Sequence, residues 1–116
     1  MTEYHGWIVL RCTNPDWSND EWDTARALLA GELSLLTPED GHAIAFTETV
    51  NSMQTIFLHG YVDTPIEAVT SLFLFAAKAV PDSYGELLVL DEDRSDAFTA
   101  AQRYRLEAGT LVQQPK

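Results

Sequence analysis

The chain has few of the features that would link it to a membrane, a nucleic acid or an oxidising compartment. It has one cysteine in 116 residues, so no disulfide can form within the chain. It has no apolar run of about 18 residues that could span a membrane, and its first residues lack the basic and apolar regions of a signal peptide. Basic residues are also scarce, at 7 Lys and Arg against 18 Asp and Glu. The net charge of −11 argues against general nucleic-acid binding, because phosphate neutralisation needs clustered basic side chains.

The remaining composition is that of one compact domain. Hydrophobic residues make up 46% of the chain and aromatic residues 10%, which is too apolar for a disordered protein. A chain of this length buries roughly two-thirds of the surface that it exposes when unfolded. We therefore expect a single domain over residues 1–116, with a core that needs no disulfide.

The first half of the chain predicts a strand, a helix and a hairpin. Ser18 stands three residues before Glu21, which is the spacing of a helix capping box. Apolar side chains then recur at helical spacing, whereas β-branched and aromatic residues dominate the strand segments. The predicted strands are 4–12, 42–49 and 54–62, and the predicted helix is 19–36. The short link between the last two strands favours a hairpin.

The second half predicts a helix followed by further strands. Pro65 stands at the first helical position and Glu67 at the reciprocal capping position. The apolar residues of this helix form one stripe with Phe73 and a second with Phe75, and the second stripe must meet the first helix or a partner. The predicted strands are 84–91 and, more weakly, 97–107 with Phe98 as a candidate for burial, while 110–116 is a short strand or a frayed tail. The order β-α-β-β-α-β-β predicts an α+β fold, an antiparallel sheet with two helices on one face, ferredoxin-like with an added strand.

The segment 16–23 combines acidic and aromatic residues around the start of the first helix. It holds four carboxylates, no basic residue and two tryptophans. The helix dipole accounts for part of the acidic excess, and Trp22 belongs to the apolar stripe of the helix. Trp17 has no such assignment. It either anchors an interface or packs as a staple onto its own helix.

A second acidic segment, 91–96, follows the fourth predicted strand. Its first, third and fifth residues have the spacing of calcium ligands. However, Asp96 stands where a calcium loop needs glycine, and Gln102 stands where it needs glutamate. We therefore expect a solvated acidic turn, suited to contact with a partner, and no bound metal.

The residues that could carry catalysis lack a supporting motif. Cys12 and the three histidines, His5, His42 and His59, show no metal-ligand or nucleophile spacing. No glycine-rich phosphate loop and no nucleophile elbow is present. We expect no catalytic residue, no metal and no cofactor.

An aromatic platform is a further possibility. Trp7, Phe57, His59 and Tyr61 could line an open sheet face, as in RNA-recognition domains, or could be partly covered by loops. The sequence pattern of those domains is missing, and the acidic charge opposes RNA. Strand parity places His5 with Trp7, and His59 with Tyr61, so adjacent strands could bring the two pairs together.

Two short motifs carry a resemblance to a known family. Tyr4-His5-Gly6-Trp7 opens the first strand, and Asp82-Ser83-Tyr84-Gly85-Glu86-Leu87-Leu88-Val89 opens the fourth, with the acidic Asp91-Glu92-Asp93 after it. Together they resemble the immunity protein 7 family of bacterial polymorphic toxin systems, and the similarity covers most of the chain. The resemblance implies a small α+β cytoplasmic protein, encoded beside a secreted or contact-delivered toxin, which binds that toxin and blocks it.

From this resemblance and the acidic excess, we expect an immunity protein that occludes a toxin domain without chemistry. The toxin is expected to be basic, such as a nuclease, because an acidic inhibitor then associates quickly through electrostatic steering. We expect the free chain to be a monomer or a weak homodimer that binds neither nucleic acid nor membrane. The candidate toxin-binding residues are Asp16, Trp17, Asp20, Glu21, Asp23, Phe75, Asp91, Glu92, Asp93 and Asp96.

Two other functions stay open at this point. The first is a ferredoxin-like regulatory or ligand-binding module that acts as a dimer through an open sheet face. Self-association of the pure protein would favour this module. The second is a small enzyme that uses His5 or His59, and it requires both side chains to share a concave pocket.

Overall fold

The computed structural model describes residues 2–36, 43–50, 53–62, 66–91 and 93–114. Within these ranges the elements are β1 (Thr2–Leu10), α1 (Asn19–Leu36), β2 (Ala43–Val50), β3 (Met53–Val62), α2 (Glu67–Ala79), β4 (Tyr84–Asp91), β5 (Gln102–Glu107) and β6 (Thr110–Gln113). Helix α1 begins as predicted, with the Glu21 N–H donating to Ser18 Oγ at 3.2 Å. Pro65, the predicted first position of the second helix, lies outside the described residues. Neither described helix is long and apolar enough to cross a membrane.

The strands form one antiparallel sheet in the order β2-β3-β1-β4-β5-β6. The first four strands have the ferredoxin-like order, in which each helix connects two strands that are separated by a third. The predicted α+β fold with an antiparallel sheet is therefore confirmed. The extension beyond β4 consists of two strands, because residues 110–113 pair with β5.

Both helices pack on one face of the sheet, where they enclose the core. The strands contribute alternate side chains, such as those of Tyr4, Ile8 and Ile56, which are at most 1% exposed. Helix α2 is buried along its predicted stripe, and Phe73 of this stripe is fully buried. A Cβ atom on Gly6 would lie 2.9 Å from the Cζ atom of Phe73. The absence of a side chain at Gly6 thus allows this ring to lie against the sheet.

The loop after β1 is bonded to the residues that precede β4. The backbone N–H and the hydroxyl of Thr13 both donate to Asp82 Oδ2, at 2.6 and 2.7 Å. These hydrogen bonds, the backbone one first, hold the pKa of the Asp82 carboxyl below its usual value. The Arg11 N–H donates to the hydroxyl of the fully buried Ser83 at 3.3 Å. Strand β1 therefore ends at Leu10 and not at the predicted residue 12.

The prediction and the structure differ most before β5. The last long strand was predicted to begin at residue 97, but β5 begins at Gln102 and residues 95–100 form turns. The Ala100 N–H donates to the Asp96 carbonyl at 2.9 Å, which bends the chain locally. Phe98, a candidate for burial, is 65% exposed. The predicted start of this strand was therefore wrong, because turn hydrogen bonds replace the strand ladder.

Candidate binding surface

The sheet face opposite the helices carries aromatic, histidine and arginine side chains. Side chains alternate along a strand, so residues that pair across neighbouring strands share a face. The register gives two rows: His59, His5, Leu88 and Arg103 in one, and Phe57, Trp7, Glu86 and Arg105 in the other. Tyr61 and Glu3 stand opposite each other in the adjacent row. We call these ten residues the open face.

A cavity of about 540 Å³ lies at the centre of the open face, and we call it the cup. Both histidines line it, together with Trp7, Phe57, Glu86, Leu88 and Arg103. The half-buried Trp7 ring meets Tyr84 edge to face, with centroids 6.1 Å apart and planes at 90°. Three side chains of the predicted aromatic platform, Trp7, Phe57 and His59, therefore share one concave surface, and Tyr61 lies in the adjacent row outside the cup.

The two histidines of the cup contact each other. Their rings stack with centroids 5.9 Å apart and planes 10° apart, and His5 Nε2 lies 2.7 Å from Glu3 Oε1. The structure thus provides the shared concave site that the enzyme hypothesis requires. Cys12 stands apart from it beyond the end of β1, and His42 lies outside the described residues. Among the residues that the structure describes, no group of three or more side chains could hold a metal ion.

The open face contains charged side chains that are available to a partner. Arg105 pairs with Glu107, with Nη1 and Oε2 3.6 Å apart. Glu86 and Arg103 form no ion pair with any residue in the described ranges. The Arg103 guanidinium lies 5.3 Å from the centre of the Phe98 ring. A bound molecule could therefore pair with one anion and one cation across the cup.

The chain that follows the acidic turn 91–96 contacts the open face, whereas Asp91 itself lies opposite Thr2 in a row on the helix side. Phe98 follows this turn and contacts Arg103 of the open face. Asp91 Oδ1 accepts a hydrogen bond from the backbone two residues later at 3.1 Å. Asp96 accepts two hydrogen bonds from an arginine in the same turn, at 2.9 and 3.0 Å, which compensates part of the local negative charge. Glu92, another predicted contact, lies outside the described residues.

The segment 16–23 belongs to the helix layer, and its four carboxylates are exposed. The half-buried Trp17 meets Trp22 with ring centroids 4.8 Å apart and planes at 73°, and both rings pack against the core. Trp17 also lines a cavity of about 410 Å³ beside Leu28, which is 52% exposed. Trp17 thus packs onto its own helix and leaves part of its ring at the surface. Phe75, the other predicted apolar contact, is also half-buried against the core.

The structure does not bring the two acidic segments together. At one end of the sheet Val9 pairs with Tyr84, and at the other end Thr2 pairs with Asp91. The segment 16–23 follows the first end and the acidic turn follows the second, so the nine residues of β1 separate them by roughly 30 Å. A partner that touches both segments would have to extend along the length of the sheet.

Sequence reasoning did not single out the cup as a binding site. Strand parity gives the face of each histidine, but it does not give the register that stacks one ring on the other. The open-face arginines Arg103 and Arg105 were missed as well. Their alternation with the more buried Tyr104 and Leu106 was a signal that could have found them.

The two motifs that carry the resemblance contribute to both faces of the sheet. Tyr4, Gly6, Gly85 and Leu87 lie on the helix side, whereas His5, Trp7, Glu86 and Leu88 lie on the open face. The family model described as Immunity protein 7 matches residues 1–116, which is the whole chain. No curated protein and no solved structure matches the chain at a significant level.

Proposed function

The chain belongs to the immunity protein 7 family, and we propose that it neutralises a cognate toxin domain by binding and occluding it, without catalysis. The family match over residues 1–116 carries this proposal. Membership implies a toxin-neutralising immunity function. Occlusion is proposed because the binding of one protein surface to another can block a toxin without any chemical step.

The charge of the chain supports a basic partner, such as a nuclease domain. A net charge of −11 attracts a basic protein and raises the rate of encounter. Exposed carboxylates in the segment 16–23 and in the turn 91–96 contribute to this attraction at both ends of the sheet. In this proposal Asp16, Asp20, Glu21, Asp23, Asp91, Glu92, Asp93 and Asp96 guide the encounter, and Trp17 and Phe75, in the helix layer, are the apolar contact residues that the sequence favours.

The cup favours a second candidate function, a ferredoxin-like regulatory or ligand-binding module that acts as a dimer. Its volume of about 540 Å³ lies within the range of small-molecule sites. Analytical sedimentation of the pure chain distinguishes the two functions. A ligand-binding dimer self-associates when pure, whereas a toxin inhibitor remains a monomer, or associates weakly, until the toxin is added.

Protection of cells tests the main proposal. The toxin domain encoded beside the gene for this chain is expressed from one plasmid, and the chain is expressed from another. We expect growth to stop with the toxin alone and to continue when both are present. Equal killing with and without the chain would contradict the proposal. Turnover of a small substrate by the purified chain, at a rate that explains the protection, would contradict the absence of catalysis.

A further inference from the structure

We propose that the toxin domain docks on the open face, with an apolar side chain of the toxin in the cup and basic side chains at the edge. This inference rests on the proposed function and adds the surface that performs it. It places the acidic turn 91–96 at the rim of the interface, because Phe98, two residues after the turn, contacts Arg103 of the open face. It assigns the apolar contact to the cup instead of to Trp17 and Phe75, and it leaves the carboxylates of the segment 16–23, at the other end of the sheet, to guide the encounter only.

The open face has the composition of an interface centre. Protein interfaces are enriched in Trp, Tyr, Phe and Arg and depleted in Lys, Asp and Glu. The ten residues of the open face include three aromatic side chains, two arginines and two histidines; they include two glutamates, at its edge and in the cup, and no Lys or Asp. Phe57 is 37% exposed and Tyr61 42% exposed in the free chain. A docked partner would remove this aromatic surface from water, which favours binding.

Charge favours a basic protein over other occupants of this face. A second copy of the chain would bring a charge of −11 against −11, and a nucleic acid would bring phosphates towards the same carboxylates. A basic protein meets the opposite sign at the acidic rim. Inside the cup, Glu86 and Arg103 have no ion-pair partner among the described residues. We expect the toxin to offer a donor to Glu86 and an acceptor to Arg103, because a buried charge without a partner opposes binding.

The open face is smaller than a standard interface, which is why we include the acidic turn in the rim of the proposed contact. The open face covers four strands, from β3 to β5, and three rows of side chains, so at about 4.8 Å per strand and about 6.8 Å per row its projected area is roughly 400 Å². A standard interface uses about 800 Å² on each partner. The open face can therefore supply the centre of such an interface, and neighbouring surface must supply the rest. The chain just after the turn reaches this surface through the contact between Phe98 and Arg103, so the turn lies within range of such an interface.

Site-directed labelling tests the proposal without removing Trp7 or Phe57, the aromatic rings that line the cup. Cys12→Ser removes the native thiol, and His59→Cys or Leu28→Cys then introduces one labelling site in the cup or between the helices. Each variant is labelled with the same bulky maleimide dye and titrated with the catalytically inactive toxin domain. Thermal unfolding before and after labelling verifies that both variants remain folded. Leu28 is the matched control because it is an exposed residue of the helix layer, beside Trp17.

We expect the label at residue 59 to weaken toxin binding roughly 30-fold or more, the loss typical of an interface hot spot. The label at residue 28 should change the affinity less than about threefold. Equal effects, or a larger effect at residue 28, would overturn the docking surface and leave the proposed function intact. Absence of any complex with the unlabelled chain would overturn the proposed function and this inference with it. A dimer of the pure chain that the label at residue 59 disrupts would assign the face to a second copy.

Substitution provides a second measurement. Trp7→Ala should raise the dissociation rate of the complex by at least about tenfold, because most affinity changes at an interface appear in dissociation. Leu74→Ala, on the exposed side of α2, should leave the rate unchanged. If Trp7→Ala unfolds, Phe57→Ala replaces it, since this ring is more exposed in the free chain. The proposal would be contradicted if a folded variant with a substitution in the cup dissociated from the toxin as slowly as the unmodified chain does.

Discussion

Phe73 and Phe57 lie on opposite sides of the same sheet, and the comparison shows how the two sides differ. Phe73 is fully buried between α2 and the strands, and it closely approaches the backbone at Gly6. Phe57 is 37% exposed on the open face and lines a cavity that water can enter. The first ring stabilises the folded chain at a site with no spare volume. The second leaves apolar surface exposed and therefore suits recognition of a partner.

The largest expected effect separates these two phenylalanines. Phe73→Ala should lower the free energy of unfolding by about 3–5 kcal/mol, because it removes buried apolar surface and leaves a cavity. Phe57→Ala should lower it by less than about 1.5 kcal/mol, since its ring is already partly hydrated. Urea unfolding of both variants measures the difference. Similar losses would show that the open face contributes to the core as much as the helix side does.

Two glycines provide the next comparison. A Cβ atom on Gly85 would collide with the carbonyl oxygen of Trp7 in the neighbouring strand, whereas a Cβ atom on Gly31 meets nothing within 4 Å. Gly85→Ala should therefore destabilise the chain by roughly 1–3 kcal/mol. Gly31→Ala, within α1, should stabilise it by up to about 1 kcal/mol. Chemical denaturation should give opposite signs, and a neutral Gly85→Ala would mean that the paired strands separate easily.

Charge reversal tests the rim of the proposed interface. The double change Asp93→Lys and Asp96→Lys alters the net charge by the same amount as Glu39→Lys and Asp40→Lys, which lie between α1 and β2 in the sequence. At low salt the first pair should slow association with a basic toxin by about tenfold, and more than the second pair. Stopped-flow measurements over increasing salt should show the difference shrinking as charges are screened. Equal slowing would mean that total charge matters and that the position of the turn does not.

The smallest effect concerns the loop that precedes α1. The hydrogen bonds from Thr13 hold the pKa of Asp82 below its usual value, so the folded chain favours the ionised form. This stabilisation is fully present above the ordinary Asp pKa of about 3.9, and it is lost as pH falls through the lower folded value. The melting temperature of Asp82→Ala should therefore lie below that of the unmodified chain at pH 7. The difference in melting temperature should narrow as the pH falls below about 4.

Asp16→Ala, an exposed carboxylate in the same connection, is the control for this change and should leave the melting temperature at pH 7 unaltered. If the melting temperature of Asp82→Ala stays equally far below that of the unmodified chain at low pH, then lost packing is the cause of the destabilisation. The charge of Asp82 would then have no part in fixing the loop.

Most of the architecture could be predicted from local patterns. The capping box at Ser18 and the apolar stripe of α2 predict the two helices, and the alternation of apolar and polar residues predicts most of the strands. Burial on one side imposes a period of about 3.6 residues on a helix and of two residues on a strand. Residues 97–100 were misassigned because Phe98 and Ala100 alternate as in a strand. Their backbone instead forms turn hydrogen bonds, and Phe98 finds its contact in the Arg103 side chain.

The binding surface was harder to predict because it depends on register. Alternation assigns His5 and His59 to a face of their strands, but only the pairing of β1 with β3 makes them neighbours. The separation of the two acidic segments, in contrast, follows from the topology alone. Because β1 and β4 are antiparallel, their C-terminal ends lie at opposite ends of the strands. The residues that follow the two strands therefore cannot meet without a long loop.

The alternation of side chains along the strands, seen in β1 and β4, has a consequence for the evolution of the sequence. His5, Trp7, Glu86 and Leu88 are interleaved with residues that touch the helices, yet they point away from them. In the proposed complex, substitutions on this side of the strands would change the contact with the toxin while the hydrophobic interior keeps its shape. Open-face positions outside the two family motifs, such as Phe57, Arg103 and Arg105, can then change together with the surface of the toxin, while the core residues between them stay the same.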